Sequence, residues 1–362
     1  MSKADSFLFY LTIAFVVLGF LALFSTSLGL AADNPKATFS VLYRQLVFGI
    51  GGGTILFLAC FLIPYDFFKK IALPLFISAV ILMLFVHFSP FGASFGGAKR
   101  WLVFGQFSLQ PSEVLKFSFI VYLAAWLSSR RKDIGSIQYG LFPFLLITGV
   151  IGILLMVQSD LSTLVVITSG AGFLFFIAGG KIKHIGILMI LGISAFFILT
   201  IIAPYRADRM MVFLKPGYDP QDTGYHINQS LIAVGSGGLF GRGLGKSLQK
   251  FNYLPEATSD SIFAIIGEEF GLVGSSVFIL MFLLLLFRGF KIASRSPDLF
   301  GRLLAGGIVI FIAVQAFLNI AATIGLAPIM GIPLPFVSQG GTALAINLAE
   351  MGLLLNISKH RK

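Results

Sequence analysis

The residues best suited to chemistry in this sequence are ionisable side chains that interrupt or border long apolar runs. Glu113 and Lys116 lie three residues apart at the start of one run, so a helix places them on one face, where they can pair. Charges are costly at membrane depth and are therefore candidates for function. Two interpretations stay open: a buried ion pair that holds helices in register, or a pair that borders a polar cavity and orients a substrate or catalytic group.

Further acids open apolar runs or lie within them. Asp160 and Asp260 each begin a run, where the positive end of a helix stabilises a carboxylate, so position alone explains both as caps. Glu268 and Glu269 lie two turns deeper, so one of them must face protein interior or water. Glu350, in the last run, is a similar case.

Cations cluster in the segments predicted to lie outside the membrane. Arginine contacts phosphate in bidentate fashion, and the phosphates beside a bilayer belong to lipid headgroups or to lipid-linked diphosphates. Generic attraction to headgroups and specific diphosphate binding both remain open for each residue. The cations are Lys99, Arg100, Arg206, Arg209, Lys215, Arg242, Lys246 and Lys250.

Several other kinds of site are excluded. A phosphate-binding loop ending at Gly245-Lys246-Ser247 would need a glycine where Phe240 stands, so no nucleotide is expected. The glycine-rich run 235–247 is instead typical of a tight connection in which backbones approach closely. No cluster has zinc spacing, and the single cysteine, Cys60, excludes an internal disulfide framework.

The composition indicates which elements must position these residues. Of 362 residues, 57% are hydrophobic and 11% charged, whereas a soluble domain has roughly a quarter charged. A spanning helix needs about 20 apolar residues. The sequence predicts one domain over 1–362, an all-α polytopic membrane protein with ten transmembrane helices and a large extracytoplasmic loop, about 204–259, between helices 7 and 8. The ten runs are 7–30, 42–63, 70–89, 112–129, 139–157, 160–179, 184–203, 261–288, 302–325 and 340–357.

The distribution of Lys and Arg predicts the orientation. With the N-terminus cytoplasmic, 15 of the 26 cations lie in cytoplasmic segments and four in the short outer ones, as the positive-inside rule favours. Both termini are then cytoplasmic. The net charge of +11 thus reflects mainly orientation, and the outer cations suit an anionic lipid rather than a nucleic acid. Function is expected on the outer face, where His226–Val234 has the spacing of a short helix.

Six motifs occur in order along the chain: Gly97–Trp101, Gln110–Lys116, Gln158–Leu161, Gly224–Ser230, Leu254–Ala264 and Pro333–Gly341. Together they resemble the SEDS family (shape, elongation, division and sporulation), which includes FtsW and RodA, and the resemblance covers essentially the whole chain. The run 249–257 favours the FtsW branch, although Tyr225-His226 and Pro333-Leu334-Pro335 also suit RodA.

The resemblance implies a peptidoglycan glycosyltransferase that polymerises lipid II on the outer face of the bacterial cytoplasmic membrane, for septal or lateral wall synthesis. The acid of the family's T-D-F-I-F motif falls on Asp260, its catalytic residue, and the Q-P-S-E-x-x-K motif supplies Glu113 and Lys116. The family's Q-P-D-L-G-T is altered here to Q-S-D-L-S-T (158–163), and its S-Y-G-G to S-Q-G-G (338–341). The acids survive in the altered motifs.

Chain growth of this kind needs a general base for a sugar hydroxyl and cations, or a bound divalent metal, at the leaving diphosphate. We hypothesise that Asp260 is the base, that Glu113, Lys116 and Asp160 shape the cavity, and that Mg²⁺ or Mn²⁺ is a candidate cofactor. The predicted substrate contacts are Lys99, Arg100, Arg206, Arg209, Gln229, Ser338 and Gln339.

Two rival functions use the same residues differently. In a lipid II flippase, the intramembrane Glu, Lys and Asp side chains would line a translocation path, although no clear internal repeat of the transporter kind is visible. In a non-catalytic division scaffold, Asp260 would be dispensable. The family implies a class B penicillin-binding protein, a transpeptidase, as partner, together with lipid II, the growing glycan, membrane lipids and other division or elongation proteins.

Overall fold

The protein is described by a computed structural model over residues 4–33, 35–95, 98–202, 204–215, 217–219 and 224–360. Gly97 of the first motif and the terminal cations Lys3, Arg361 and Lys362 lie outside the described residues. The helices are α1 (Ser6–Asp33), α2 (Pro35–Arg44), α3 (Gly52–Leu62), α4 (Tyr65–Lys70), α5 (Ala72–Phe88), α6 (Pro111–Ser129), α7 (Phe142–Val157), α8 (Leu161–Ile177), α9 (Ile182–Ile202), α10 (Pro204–Leu214), α11 (Tyr225–Ser236), α12 (Ile262–Ser294), α13 (Leu299–Thr323) and α14 (Gly341–Ser358).

Two of the α-helices, α3 and α7, are each preceded by a short π-helical segment, which has wider turns. A π-helical segment, Gln45–Gly51, joins α2 to α3 without a break, and another, Ile137–Leu141, precedes α7. Pro111 occupies the first turn of α6, where its missing N–H costs nothing. The proline therefore fixes where α6 begins, two residues before Glu113.

Six helical stretches within the described ranges are long and apolar enough to cross a membrane by length and composition. Each predicted span coincides with a helix, but α5, α8 and the apolar part of α9 are shorter, and α6 carries the charged pair. The chain is thus a multi-pass membrane protein, and the count of ten spans stays a prediction. The six stretches are Ser6–Leu30, Thr38–Leu62, Ile137–Val157, Ile262–Ser294, Leu299–Thr323 and Gly341–Ser358.

The prediction of a purely helical fold is wrong for the segment between α5 and α6. Strands β1 (Gly92–Phe95), β2 (Ala98–Phe104) and β3 (Phe107–Leu109) form an antiparallel sheet in that order. Gly105, with φ of 61°, makes the two-residue turn between β2 and β3, a conformation that favours glycine. The Thr342 hydroxyl donates to the Ser108 carbonyl at 2.8 Å and so ties the sheet to the start of α14.

The centre of the molecule is α13, which packs against α6, α8 and α12. Its 18-residue apolar window is 83% buried within the protein, against 28% for the stretch Thr38–Leu62. Polar side chains on α13 therefore lie in protein interior, where each needs a partner.

The loop before α12 that contains Ser247 and Lys250 is held by contacts to α12. Glu268 and Glu269 are both buried, so the expectation that one of them faces protein or water holds for the pair. Glu268 accepts from the Ser247 hydroxyl at 2.5 Å, and Glu269 pairs with Lys250 at 2.9 Å and accepts from Ser25 of α1 at 2.6 Å. These carboxylates anchor the loop.

The glycines of this loop confirm the predicted tight connection. A Cβ on Gly237 would lie 2.0 Å from the Gly267 carbonyl oxygen, and one on Gly241 would lie 2.2 Å from that of Glu269. Gly241 also has a positive φ of 76°. The loop backbone thus packs directly on the first turns of α12, which only glycine permits.

Candidate active site

Asp260 lies just before α12, at the N-terminal end of the helix. The Asn319 amide donates to the Asp260 carbonyl at 2.7 Å and to the Ile332 carbonyl at 2.6 Å, so α13 fixes the backbone on both sides. Asp260 Oδ1 is buried and has no hydrogen-bond partner within the described part of the chain. The carboxylate lines a cavity of about 270 Å³ with His226, Ser261 and Gly331. The backbone of Asp260 is therefore fixed by α13, while its carboxylate faces the cavity.

The electrostatic surroundings of Asp260 suit proton transfer near neutral pH. Burial, followed by the Glu256 carboxylate, raises the pKa of Asp260 to about 7. A hydrogen bond from its own backbone, the Arg209 charge and the Ser261 hydroxyl oppose that rise in pKa. A base with a pKa close to the working pH combines availability with driving force, which is what general base catalysis needs.

Two arginines of α10 border the same region. Arg209 donates to the Ile329 carbonyl at 3.1 Å and lines two cavities, of about 600 Å³ and 420 Å³. Arg206 lines the smaller of these cavities, which shares Ile329 and Met330 with the Asp260 cavity. The structure thus brings both predicted arginines close to the predicted base.

The predicted pair on α6 forms an ion pair. Glu113 and Lys116 are 2.8 Å apart and buried. Lys116 also donates to the Gln315 side-chain oxygen at 2.6 Å, and Gln315 donates to the Pro333 carbonyl at 2.9 Å. The pair is therefore coupled through α13 to the 331–333 segment, which borders Asp260.

A second polar cavity, of about 340 Å³, lies on the other side of that segment. Glu113, Lys116, Asp160 and Arg100 line it, and it shares Gly331 and Ile332 with the Asp260 cavity. The ion pair therefore borders a polar cavity in addition to joining helices, and its role in orienting a substrate or catalytic group stays a prediction.

Asp160 and the β2 cations have mainly structural bonds. Asp160 caps α8 by accepting from the Thr163 N–H at 3.2 Å and hydroxyl at 2.8 Å. Arg100 donates to the carbonyls of Gln158 and Ser159. Lys99 donates to the His87 and Ser89 carbonyls at the end of α5, and it lines none of the cavities described above.

Two of the remaining predicted contacts, Ser338 and Gln339, bind the residues just before Asp260. Ser338 accepts from the Leu334 N–H at 2.8 Å and donates to the Ser259 carbonyl. Gln339 donates its N–H to the Thr258 carbonyl at 2.8 Å and accepts from the Thr258 hydroxyl at 2.7 Å. These two residues therefore hold the segment that presents Asp260, and their role as substrate contacts stays a prediction.

Gln229 lies on α11, half-buried, and lines none of these cavities. Sequence reasoning missed its neighbour His226, which does line the Asp260 cavity, and the amides Gln315 and Asn319. The two amides are four residues apart in an apolar helix, hence on one face, and this spacing is a signal that could have found them. His226 carries no comparable signal.

No three His, Cys, Asp or Glu side chains come together to hold a metal ion among the residues that the structure describes. The predicted Mg²⁺ or Mn²⁺ would need most of its ligands from elsewhere. Magnesium commonly takes them from water and substrate phosphates. Such an ion therefore stays a prediction tied to the diphosphate.

The chain matches a known protein family over nearly its whole length. The model of a cell cycle protein family named for FtsW, RodA and SpoVE matches residues 5–362. The chain belongs to this family. It is 38% identical over 361 residues to stage V sporulation protein E of Bacillus subtilis (strain 168), covering 100% of this chain and 98% of the relative. It is 37% identical to the probable peptidoglycan glycosyltransferase FtsW of Geobacter sp. (strain M18), covering 98% and 96%.

Solved structures of the family have the same fold. A chain in a peptidoglycan synthase complex described as coordinating polymerization and crosslinking matches with a TM-score of 0.78 and 30% identity, covering 98% of this chain and 97% of that one. The rod shape determining protein RodA of Thermus thermophilus matches with a TM-score of 0.71 and 27% identity, covering 99% and 97%. The resemblance to the SEDS family is thereby confirmed.

Proposed function

We propose that this protein is a peptidoglycan glycosyltransferase that polymerises lipid II into glycan strands. The observation that carries the proposal is the buried Asp260 carboxylate, whose Oδ1 faces a cavity between two arginines of α10 and the polar cavity of α6. The names of the FtsW relatives support a glycosyltransferase. The family assignment supports a role in septal or lateral wall synthesis.

In the proposed reaction, the 4-hydroxyl oxygen of one sugar attacks the anomeric carbon of another, and Asp260 takes the hydroxyl proton. The bond between the anomeric carbon and the diphosphate oxygen breaks, and undecaprenyl diphosphate leaves with the bonding electrons. Arg206 and Arg209 stabilise the negative charge that develops on the leaving diphosphate. The base must be ionised before the attack, which a pKa of about 7 for Asp260 permits at neutral pH.

The α6 cavity supplies the second half of the proposed site. Arg100 and Lys116 bring positive charge to it, and Glu113 and Asp160 keep the net charge low. Two polar cavities that meet at Gly331 suit a reaction between two lipid-linked sugars, one donor and one acceptor. A divalent cation, where required, would bind with the diphosphate.

The site opens at the outer ends of α6, α8 and α12 in the orientation that the Lys and Arg distribution favours. We therefore propose that polymerisation takes place on the outer face of the bacterial cytoplasmic membrane, with both termini inside. The synthase complex among the structural relatives supports a class B penicillin-binding protein as partner, which would crosslink the strands.

The decisive experiment is polymerisation of labelled lipid II by the purified protein in detergent, with and without EDTA. Asp260→Asn should abolish polymer formation while the protein stays folded, with a cooperative thermal unfolding transition and a melting temperature no lower than that of the wild type. Asp66→Asn, an exposed acid on α4, is the matched control and should polymerise normally. Polymer made by Asp260→Asn at the wild-type rate would refute the assignment of the base.

Two further assays distinguish the rival functions. A flippase would move labelled lipid II across liposome membranes without making polymer, and a scaffold would support growth with Asp260→Asn in the cell. Either outcome, together with no polymer from the wild type, would replace the proposed function.

A further inference from the structure

A histidine of the outer loop reaches the cavity of Asp260. His226 is the second residue of α11, and its Nε2 lies 2.5 Å from the Ser261 hydroxyl oxygen. Both side chains line the 270 Å³ cavity together with Asp260. Ser261 directly follows Asp260 in the chain, and its hydroxyl group favours the ionised Asp260 carboxylate by lowering its pKa. Three neighbouring side chains from two elements thus form a row that ends at the candidate base.

The direction of the bond between His226 and Ser261 follows from the number of protons. A hydroxyl has one proton, and Ser261 favours the ionised carboxylate only when that proton points towards it, so its oxygen must accept the bond from the histidine ring. His226 therefore carries its proton on Nε2. Burial, followed by the Arg209 charge, lowers the pKa of His226 to about 4, so the ring is neutral at physiological pH.

We infer that His226 is a positioning residue, which acts through Ser261 to keep the Asp260 carboxylate ionised and fixed in orientation. The inference rests on the proposed function, because it concerns the base of that reaction. A neutral ring that donates from Nε2 turns the Ser261 hydroxyl proton towards the carboxylate and strengthens its attraction to the negative charge. The ring does not accept the substrate proton, since its Nε2 is already protonated.

Other charges near the row are Arg209 of α10 and Glu256 in the turn before α12. Arg209 favours the ionised carboxylate and Glu256 opposes it. The residues of α13 and of 329–332 that line the cavity add no titratable side chain. A change in the apparent pKa of activity on replacing His226 therefore reports on the row itself, provided that Arg209 and Glu256 are intact.

The experiment is the pH dependence of lipid II polymerisation between pH 5 and pH 9 (roughly the range around the titration of Asp260). His226→Ala should move the acidic limb to higher pH by about half to one unit, since one lost hydrogen bond is worth up to about one pKa unit. The rate should fall about three- to tenfold near pH 6 and little near pH 9. His226→Gln retains a side-chain N–H donor and should restore the wild-type limb.

Two further variants keep the test decisive if His226→Ala fails to fold. Ser261→Ala removes the bridge and should give the same displacement, and His226→Ala added to Ser261→Ala, where it folds, should cause no additional shift. His87→Gln, an exposed histidine at the end of α5, is the matched control and should leave the profile unchanged.

Each failure has its own signature. Profiles of His226→Ala and Ser261→Ala that superimpose on the wild type would overturn the inference, while loss of activity in Asp260→Asn would still support the proposed function. A uniform drop in rate at every pH would also overturn it, because a merely structural role predicts that result. A wild-type protein that makes no polymer would instead overturn the proposed function.

Discussion

At the scale of single residues, the site depends on one carboxylate that the fold keeps out of water. Asp260 has its backbone bound by Asn319 and a side-chain oxygen without a partner among the described residues. Native proteins leave few buried oxygens unbonded, because each costs free energy. An acceptor in this state is ready to bind a hydroxyl group of a substrate.

The raised pKa of Asp260 predicts how activity depends on pH. Below pH 7 the carboxyl group is increasingly protonated and cannot take a proton, so the polymerisation rate should rise through about pH 7 and then level off. Measuring initial rates with lipid II at saturating concentration checks this. A rate that is constant from pH 5.5 to pH 8.5 (roughly, the range around that pKa) would contradict it.

The same group should also affect stability. Its folded-state pKa lies above the ordinary value of 3.8, so the folded protein holds this proton more tightly than the unfolded chain does. This tighter proton binding stabilises the folded protein in full below the ordinary pKa of 3.8, and the stabilisation is lost as pH rises towards about 7. Asp260→Asn should therefore raise the melting temperature relative to the wild type more at pH 8 than at pH 5, and an equal effect at both would argue against the pKa.

Gly331 gives a steric test of the same centre. Its φ is 65°, and a Cβ there would lie 3.6 Å from Asp260 Oδ2. Gly331→Ala should strain the backbone and fill the space in front of the carboxylate, lowering the rate by about tenfold or more. Gly245→Ala, at φ of 79° with open space around it, is the control for strain alone and should retain most activity.

At the scale of elements, α13 organises the site although none of the predicted site residues lies on it. Gln315 and Asn319 join Lys116, Pro333, Ile332 and Asp260 to one helix face. Helix positions in α13 could be predicted from apolar length. Its amide bonds could not, because they depend on which elements meet at its surface.

Variants of the Glu113–Lys116 ion pair on α6 can distinguish a role in stability from a role in function. Lys116→Met leaves Glu113 buried without its partner and should lower the free energy of unfolding by about 3–5 kcal/mol. Adding Glu113→Gln to that variant should recover much of the stability. If the pair also serves the cavity, the double variant should stay impaired in lipid II polymerisation. Full recovery of both properties would show a purely structural pair.

At the scale of the whole molecule, apolar length and the order of motifs were enough to predict a polytopic helical protein and the residues around Asp260. The sheet at 92–109 was missed, because its three short strands are stabilised by pairing and by Thr342, far away in sequence. His226 was missed for the same reason, since Ser261 lies 35 residues further along. Sequence periodicity reports local structure, whereas these contacts are set by tertiary packing.

The predicted orientation can be tested with single cysteines. Cys60 is the sole cysteine and is buried, so Cys60→Ser gives a simple background. In that background, Gly105→Cys in the outer sheet should react with a membrane-impermeant maleimide in intact spheroplasts. Lys132→Cys, in the exposed segment after α6, should react only after the membrane is opened. The reverse pattern would place the site in the cytoplasm.

The candidate base is bonded to α13 and the two arginines lie on α10, and this separation has a consequence for repeated turnover. Asp260 is attached to α13, a helix that lies largely inside the protein, whereas Arg206 and Arg209 stand on a short surface helix that packs mainly against α9. In every cycle of a polymerase the reacting hydroxyl group is of the same kind, but the glycan strand in the site is one unit longer. The contacts to α13 keep the proton acceptor in one position, as a constant reacting group requires. The arginines of the surface helix α10 bind the diphosphate separately, while the strand changes in length.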